Sequence, residues 1–400
     1  MRRAFAALCL MGLLLIGKSS PAGATGGLFL SDSPVAQAAE RIIFAVDSQA
    51  GEITAYIQMN YTGESASFAW VVPVPSTPAV EAADTAAFDE LSALTTPKLV
   101  FPPPRDCFTQ TAVSQVAGEQ AAAAPAGPAG AADYAVIEDS DPAAVLAWLR
   151  DNGYQSTPEA EALITSYADA GMTFVAIKVN GGQGARAIQP VAITYRATQP
   201  TLPLRLSAAS ASPDTSITAW VFADHQATPA NITRLTMRKN DLALTDLQGG
   251  NNYATMRSGA IDSLKGQGFV VEYSQPTSQI TATDPLIQRL AAKHPYLTRL
   301  YGELSPAEMT VDPAFEIKAG LPDISNVIDM SNRISPFDCE AQQLQTVRRQ
   351  QNDAAKGPGR ASPEEATKDL RRGPLAIISA IFVGGILALI WWLARKPRRA

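Results

Sequence analysis

Residues 375–394 form an apolar stretch without a charged side chain. As a helix this stretch rises by about 30 Å, the thickness of a hydrocarbon core. Lipid offers no water to unpaired backbone groups, so such a segment must be helical. Trp391 and Trp392 stand where interfacial aromatic residues belong, and a basic tail, residues 395–400, follows. The sequence therefore predicts a transmembrane helix over residues 374–394, a lipid bilayer as a partner, and a cytoplasmic tail. A buried core helix is the alternative, but such helices rarely run this long without a polar face.

The amino terminus carries the parts of a secretory signal peptide, residues 1–24. Arg2 and Arg3 precede an apolar run over residues 4–16, and the small-residue triplet Ala22-Gly23-Ala24 follows. This order is typical of a signal that is cleaved after Ala24. An uncleaved anchor is the alternative, but the run is shorter than the roughly 20 residues that cross a bilayer. We therefore expect a single-pass membrane protein whose globular part lies outside the cytoplasm, at the cell surface or in the periplasm.

The predicted exported part is acidic. The whole chain has 32 basic and 38 acidic residues, and seven of the basic residues lie in the predicted signal and tail. The remainder has 25 basic residues against 38 acidic ones, a formal net charge of −13. A surface this negative repels phosphates and anionic headgroups. Nucleic acid is therefore not an expected partner.

The exported part divides by composition. Residues 25–116 predict a first β-rich section, and residues 117–132, almost entirely Ala, Gly and Pro, predict a linker or exposed loop because they have too little apolar bulk to repay their ordering entropy. Residues 133–351 predict a second section of strands and helices, and residues 352–373 a polar tether above the membrane. The predicted fold class is α+β, with a mostly antiparallel sheet, several helices and the C-terminal transmembrane helix.

Local patterns predict the individual elements. Alternating apolar residues between turn signals predict an antiparallel meander of strands over residues 41–46, 52–61 and 67–74. Further strands are predicted over residues 134–138, 173–179, 188–196, 202–207, 217–223, 231–239 and 269–273. Helices are predicted over residues 85–94, 142–152, 158–170, 253–264, 284–293 and 340–351.

Cys107 and Cys339 are the two cysteines that remain after signal cleavage. In an oxidising compartment such a pair most often forms a disulfide. A free thiol or a metal ligand is the weaker alternative, because neither cysteine has another Cys or His at ligand spacing.

The chain offers few groups for familiar catalytic chemistry. His225 and His294 are its two histidines, and neither an H-E-x-x-H pattern nor a G-x-S-x-G elbow occurs. His294 is predicted to be a surface or helix-end residue. The glycines of residues 182–187 match a dinucleotide fingerprint in letters, but a predicted strand follows them where a helix is needed, so a hairpin turn is expected. These residues predict no metal and no cofactor.

An aromatic and proline-rich strand end is the main binding candidate. Phe68, Trp70, Pro73 and Pro75 crowd it and could bind an extended peptide or a sugar chain. The structural alternative is a buried strand that leaves its sheet. Trp220 and Glu272 are added as binding candidates, on the hypothesis that they line one pocket with Trp70 and Pro73.

Several ordered segments resemble one known family. They include Phe68-Ala-Trp-Val-Val-Pro-Val-Pro75 and Phe269-Val-Val-Glu272-Tyr273. The full set is residues 37–45, 61–63, 68–75, 148–154, 174–178, 188–190, 203–206, 229–231 and 269–273. On these residues the chain resembles the family called domain of unknown function 2330 over residues 26–273. The resemblance implies an exported bacterial protein without an established activity, and it supplies no catalytic residues.

Two positions depart from the family pattern. Thr25-Gly26-Gly27 stands where members commonly have Cys-Gly-Gly, so any disulfide or metal role of that family segment is absent from this chain. His225 stands where an arginine is expected, which argues against a role as a general base.

Two functions from different classes remain open. The first is a tethered extracytoplasmic domain that binds or organises a protein or polymer at the cell surface and catalyses nothing. The second is a hydrolase of unfamiliar arrangement that uses carboxylates such as Glu40 or Glu272. The hydrolase predicts a cleft in which a carboxylate has a raised pKa.

Overall fold

Two β-sheets form the centre of the fold, and helices cover their outer faces. The computed structural model describes residues 23–24, 27–31, 35–63, 67–101, 132–137, 141–180, 186–246, 250–333 and 346–352. The chain separates into two compact units: Met1–Pro104 with Ala112–Ser335, and Arg105–Thr111 with Pro336–Ala400. Of the second unit the structure describes residues 346–352, a short helix with exposed side chains. All elements named below belong to the first unit.

The strands and helices of the first unit have the following bounds. The strands are β1 (Gly23–Ala24), β2 (Leu28–Leu30), β3 (Val35–Asp47), β4 (Glu52–Gly63), β5 (Ser67–Val74), β6 (Ala79–Ala82), β7 (Lys98–Val100), β8 (Ala132–Ile137), β9 (Thr173–Asn180), β10 (Arg186–Ala187), β11 (Val191–Arg196), β12 (Pro200–Thr201), β13 (Ala211–Ala223), β14 (Gln226–Pro229), β15 (Thr233–Leu235), β16 (Gly268–Pro276), β17 (Tyr296–Leu304), β18 (Phe315–Lys318) and β19 (Val327–Asp329). The α-helices are α1 (Ala86–Thr95), α2 (Pro142–Asp151), α3 (Pro158–Asp169), α4 (Leu204–Ser207), α5 (Tyr253–Asp262) and α6 (Pro285–Lys293). Short 3-10 turns lie at Lys239–Asp241, Thr277–Gln279 and Pro306–Glu308.

The larger sheet has the strand order β15-β16-β17-β13-β3-β4-β11-β6, with β10 also paired to β4. Its pairs are antiparallel except for β3 with β13 and β15 with β16. The largest cluster of buried apolar side chains, here called the main core, lies on one face of this sheet. The predicted alternation on β4 is confirmed, because Ile53, Ala55, Ile57 and Met59 are all fully buried in the main core. This face of the sheet, the inner face, packs against the smaller sheet.

The smaller sheet has the order β2-β5-β9-β8. One of its faces completes the main core, and the other packs against α2 and α3. Helices α1 and α6 cover the outer face of the larger sheet. The layers therefore run helices, small sheet, large sheet, helices. This confirms the α+β class, and strands from both sides of residues 102–131 share each sheet.

Three helices begin with the same local signal. Asp141, Thr157 and Asp284 each precede a proline, and each side chain accepts a hydrogen bond from a backbone N–H of the first turn. A capping oxygen satisfies a donor that the helix leaves unpaired, and proline fits the first helical position. The helix starts at residues 142, 158 and 284–285 were therefore predictable from sequence.

Two predicted strands are wrong in detail. The predicted meander fails at its third strand, because β5 pairs with β2 and β9 in the smaller sheet. A strand that is apolar on both faces fits a sheet covered on both sides, and β5 lies between the main core and the helices α2 and α3. The segment predicted as a strand over residues 202–207 instead contains the helix α4. The backbone N–H of Arg205, in the first turn of α4, donates a hydrogen bond to Asp312 Oδ1 at 3.0 Å and so stabilises the start of the helix.

Several predicted features lie outside the described residues. They are Cys107, Cys339, residues 1–22 of the signal, residues 117–131 of the linker, and the tether, apolar span and tail from residue 353 onwards. Among the helices that the structure describes, none is long and apolar enough to cross a membrane.

Two glycines predict opposite effects of an added methyl group. A Cβ at Gly302 would lie 2.5 Å from the ring of Phe269, which is fully buried, so Gly302→Ala is expected to lower the free energy of unfolding by about 1–3 kcal/mol. A Cβ at Gly259, inside α5, would meet nothing within 4 Å. Gly259→Ala is therefore expected to raise the free energy of unfolding by about 0.5–1 kcal/mol. Denaturant unfolding of the full chain checks both values, and equal shifts of the same sign would contradict this account.

Candidate functional site

Glu272 lies at a β-bulge on the outer face of the larger sheet. Val271 pairs with Leu300 and Tyr273 pairs with Arg299, so Glu272 is the extra residue between two consecutive positions of β17. A bulge locally breaks the ladder and redirects a side chain. Here it brings the carboxylate to the same neighbourhood as Arg299.

Three donors bind the Glu272 carboxylate. Arg299 Nε donates to Oε2 at 2.7 Å, while Arg257 Nη1 and the Tyr253 hydroxyl donate to Oε1 at 3.0 and 3.1 Å. The side chains of Glu272, Arg257 and Arg299 are 0, 14 and 4% exposed. Hydrogen bonds between charged groups are roughly twice as strong as those between neutral groups. The carboxylate is thus paired on both oxygens, inside the protein.

The two guanidinium groups link this cluster to further elements. Arg299 Nη1 donates to Thr96 Oγ1 at 3.0 Å, beyond the end of α1, and Trp220 Nε1 donates to Thr95 Oγ1 at 2.9 Å. The Arg257 guanidinium lies 3.5 Å from the centre of the Tyr301 ring. We call Tyr253, Arg257, Glu272, Arg299 and Tyr301 the Glu272 cluster. It ties α1, α5, β16 and β17 together.

The surroundings of Tyr253, Tyr301 and Arg257 in the Glu272 cluster keep these three groups protonated. Burial raises the pKa of Tyr253 and of Tyr301. The Glu272 carboxylate raises the pKa of Tyr253 further, and Glu303, which accepts a hydrogen bond from the Tyr301 hydroxyl, raises that of Tyr301. Burial, the largest single cause, lowers the pKa of Arg257, but Glu272, Tyr301 and Tyr253 together raise it by more, so the pKa of Arg257 is raised. Neither phenol is therefore prepared to act as a base or nucleophile.

Glu40, unlike Glu272, is buried without a cationic partner among the described residues. It lies on β3 opposite Met59 and Ile217, with 1% of its surface exposed. Gln37 Nε2 donates to its Oε2 at 2.9 Å, while Glu40 Oε1 and Gln37 Oε1 have no hydrogen-bond partner. Burial raises the pKa of Glu40 to about 8, against a lowering by the Gln37 hydrogen bond. At neutral pH Glu40 is therefore mainly a neutral acid.

The aromatic and proline candidates on β5 are interior residues. Phe68 and Trp70 are fully buried in the main core, where the Phe68 ring lies 4.7 Å from Tyr61 and 5.0 Å from Phe29. Pro73 is buried opposite Phe174, and Pro75 is half-buried just after the strand. This burial corresponds to the structural alternative, a strand packed on both faces.

The structure brings only part of the candidate set together. Trp220 and Glu272 lie on the outer face of the larger sheet and are joined through Thr95 and Arg299. Trp70 belongs to the main core on the other side of that sheet. The four residues Trp70, Pro73, Trp220 and Glu272 therefore do not share one cluster.

Sequence reasoning missed the partners of both carboxylates. Arg257 and Arg299 carry no motif, and Gln37 is an ordinary polar residue in a strand pattern. The one local signal was a Glu in the otherwise apolar run of residues 268–273, since a buried charge requires a partner. The partner itself could not be identified from sequence.

The histidines do not extend either carboxylate site. His225 is exposed after β13, and His294 ends α6 with burial lowering its pKa. Of the two positions predicted for His294, the helix end is confirmed and the surface is wrong, because His294 follows α6 and is 3% exposed. Within the described ranges, no group of three or more His, Cys, Asp or Glu side chains is placed to hold a metal ion.

Comparison with known proteins identifies one family. The sequence model of DUF2330, described as an uncharacterized protein conserved in bacteria, matches residues 20–316. No curated protein and no solved structure matches the chain. The match covers well over half of the 400 residues and includes Glu40, Arg257, Glu272 and Arg299. The chain therefore belongs to the DUF2330 family.

Proposed function

We propose that this chain is a membrane-anchored extracytoplasmic domain that binds or organises a partner at the cell surface and catalyses no reaction. The uncharged residues 375–394 and the basic tail support the anchor, and the pattern of residues 1–24 supports export. The acidic excess of the part between them favours a protein or polymer partner over nucleic acid.

The pairing of Glu272 on both oxygens is the observation that carries the non-catalytic part of the proposal. A general base needs an oxygen lone pair that faces the substrate. Both oxygens of Glu272 already accept hydrogen bonds from Arg299, Arg257 and Tyr253. Removing one partner of a buried ion pair lowers the free energy of unfolding by about 3–5 kcal/mol. Glu272 is therefore suited to holding elements together.

The anchor is tested with the full chain, signal included, carrying an epitope tag after Ala400 in a bacterial host. We expect the tag to fractionate with membranes, and protease added outside spheroplasts to digest the globular part while the tag stays protected. Lysed spheroplasts are the control, in which the tag should be digested. Recovery of the chain in the soluble fraction, or digestion of the tag in intact spheroplasts, would refute the proposed topology.

A carboxylate hydrolase is the second candidate, and the raised pKa of Glu40 favours it. An acid that remains protonated near pH 7 can donate a proton to a leaving group. The Glu40 carboxyl is almost fully buried, so catalysis would require the two sheets to separate near Gln37. Turnover by the full chain on a panel of ester, amide and glycoside substrates, lost in Glu40→Gln, would favour this candidate over the binding module.

A further inference from the structure

Arg234 is a cation that forms no ion pair with any of the residues that the structure describes. It lies in the middle of β15, an edge strand of the larger sheet, in register with Phe269 of β16. Ile232, two residues before it, and its register partner Phe269 pack against the main core, whereas the adjacent Leu235 packs on the outer face. The side chain of Arg234 therefore belongs to the inner face of the sheet edge.

Two guanidinium donors of Arg234 are buried without an acceptor. They are Nε and Nη2, and neither has a hydrogen-bond partner. These two nitrogens form one edge of the planar group, the fork that binds both oxygens of a carboxylate side by side. Leaving charged donors buried and unpaired costs free energy. The whole fork is therefore prepared for an acceptor that the described protein does not supply.

Other arginines of the domain show how buried or half-buried guanidinium groups are normally satisfied. Arg41 donates to Gln58 Oε1 at 2.6 Å and to Asp89 Oδ1 at 2.8 Å. Arg299 donates to Glu272 and Thr96. Arg257 also has a buried Nε without a partner, but its Nη1 donates to Glu272. Arg234 differs because two adjacent donors are unpaired and no described acidic side chain forms an ion pair with it.

We propose that Arg234 is the binding residue of a carboxylate site at the edge of the larger sheet. A carboxylate is planar, carries one charge and matches the fork with two parallel hydrogen bonds. A phosphate dianion fits less well, because a single guanidinium faces it beside the apolar Phe269 in a chain with a formal net charge of −6. This site is separate from the Glu272 cluster and does not depend on the proposed anchor.

The test is thermal and denaturant unfolding of the full chain in sodium acetate against sodium chloride at equal ionic strength. We expect a saturable stabilisation by acetate. At a concentration ten times the dissociation constant, the unfolding equilibrium constant should fall about elevenfold. Inorganic phosphate, at the same ionic strength, should stabilise less than acetate.

Substitutions at Arg234 separate binding from packing. Arg234→Lys keeps the charge but loses the fork, and Arg234→Met loses both, so the acetate response should shrink in the first and vanish in the second. Without acetate, Arg234→Met should be at least as stable as the natural chain, because it removes two unpaired buried donors. Arg238→Lys, at a position where the side chain is 81% exposed and paired with Asp241, is the matched control and should keep the response.

Three results would overturn the proposal. The first is an acetate response that is as large in Arg234→Lys as in the natural chain. This result counts whether Arg234→Met fails to fold or folds and responds equally. Another is a natural chain without a saturable response. A stronger Arg234-dependent response to phosphate than to acetate would replace the carboxylate by phosphate as the ligand class.

Discussion

Glu272→Gln is expected to lower the free energy of unfolding by about 3–5 kcal/mol. The substitution keeps the shape of the side chain but removes the charge that neutralises Arg299 and Arg257, and it places an amide N–H against a guanidinium donor. Arg299 is 4% exposed, so water cannot replace the lost partner. Removing one member of a buried ion pair is costly for this reason. Denaturant unfolding of the full chain measures the difference.

Glu316→Gln is the matched control for this prediction. Glu316 forms an ion pair with Lys318 in which the two side chains are 44% and 55% exposed. A pair this exposed contributes little, and its loss is expected to change the free energy of unfolding by less than about 1 kcal/mol. If Glu272→Gln behaved like Glu316→Gln, the Glu272 cluster would make no net contribution to stability.

Glu40→Gln is expected to act in the opposite direction and to raise the free energy of unfolding at pH 7 by about 3 kcal/mol. The folded chain holds this carboxyl with a pKa of about 8, whereas its ordinary value is 4.5. At pH 7 the unfolded chain is therefore ionised at this position while the folded chain keeps the proton, and each unit of difference corresponds to about 1.4 kcal/mol. Glutamine is neutral in both states and avoids this penalty.

The pH dependence has a definite sign. Because the pKa of Glu40 is raised by folding, its stabilising contribution is complete below about pH 4.5 and is lost as pH rises through about 8. The gain from Glu40→Gln should thus be small near pH 4.5, grow with pH, and level off above about pH 8. Unfolding curves at several pH values test this course directly.

Glu52→Gln provides the control for Glu40→Gln, because Glu52 is exposed at the start of the neighbouring strand β4. It removes the same charge from the chain without altering a buried group, so its effect should stay within about 0.5 kcal/mol at every pH. A gain at Glu40 that did not grow between pH 5 and 8 would show that the carboxyl is ionised in the folded chain.

The two substitutions also bear on function. If Glu40→Gln is more stable and the chain keeps its surface role, Glu40 is an interior acid without a catalytic part. If a hydrolytic turnover disappears while stability rises, the carboxylate hydrolase gains support. Glu272→Gln cannot make this distinction, because loss of folding and loss of activity would coincide.

Local chemistry made part of the fold predictable. The helix starts at Asp141, Thr157 and Asp284 were predictable, because the capping oxygen and the following proline both stabilise the first turn of the helix. The alternation of Ile53, Ala55, Ile57 and Met59 indicated which face of β4 is buried, since side chains along a strand point to opposite faces. These signals gave the α+β class.

The sequence by itself determined the helix starts, the buried face of β4, the family, and the patterns that predict export and a membrane span. Only the tertiary structure decided that β5 joins the smaller sheet and that Phe68 and Trp70 are core residues. It alone paired Glu272 with Arg299 and Arg257, left Glu40 with Gln37, and left the Arg234 fork without an acceptor. The reason is physical: a residue type states what a side chain needs, whereas strand order and register decide which distant atoms meet it and whether water can reach it.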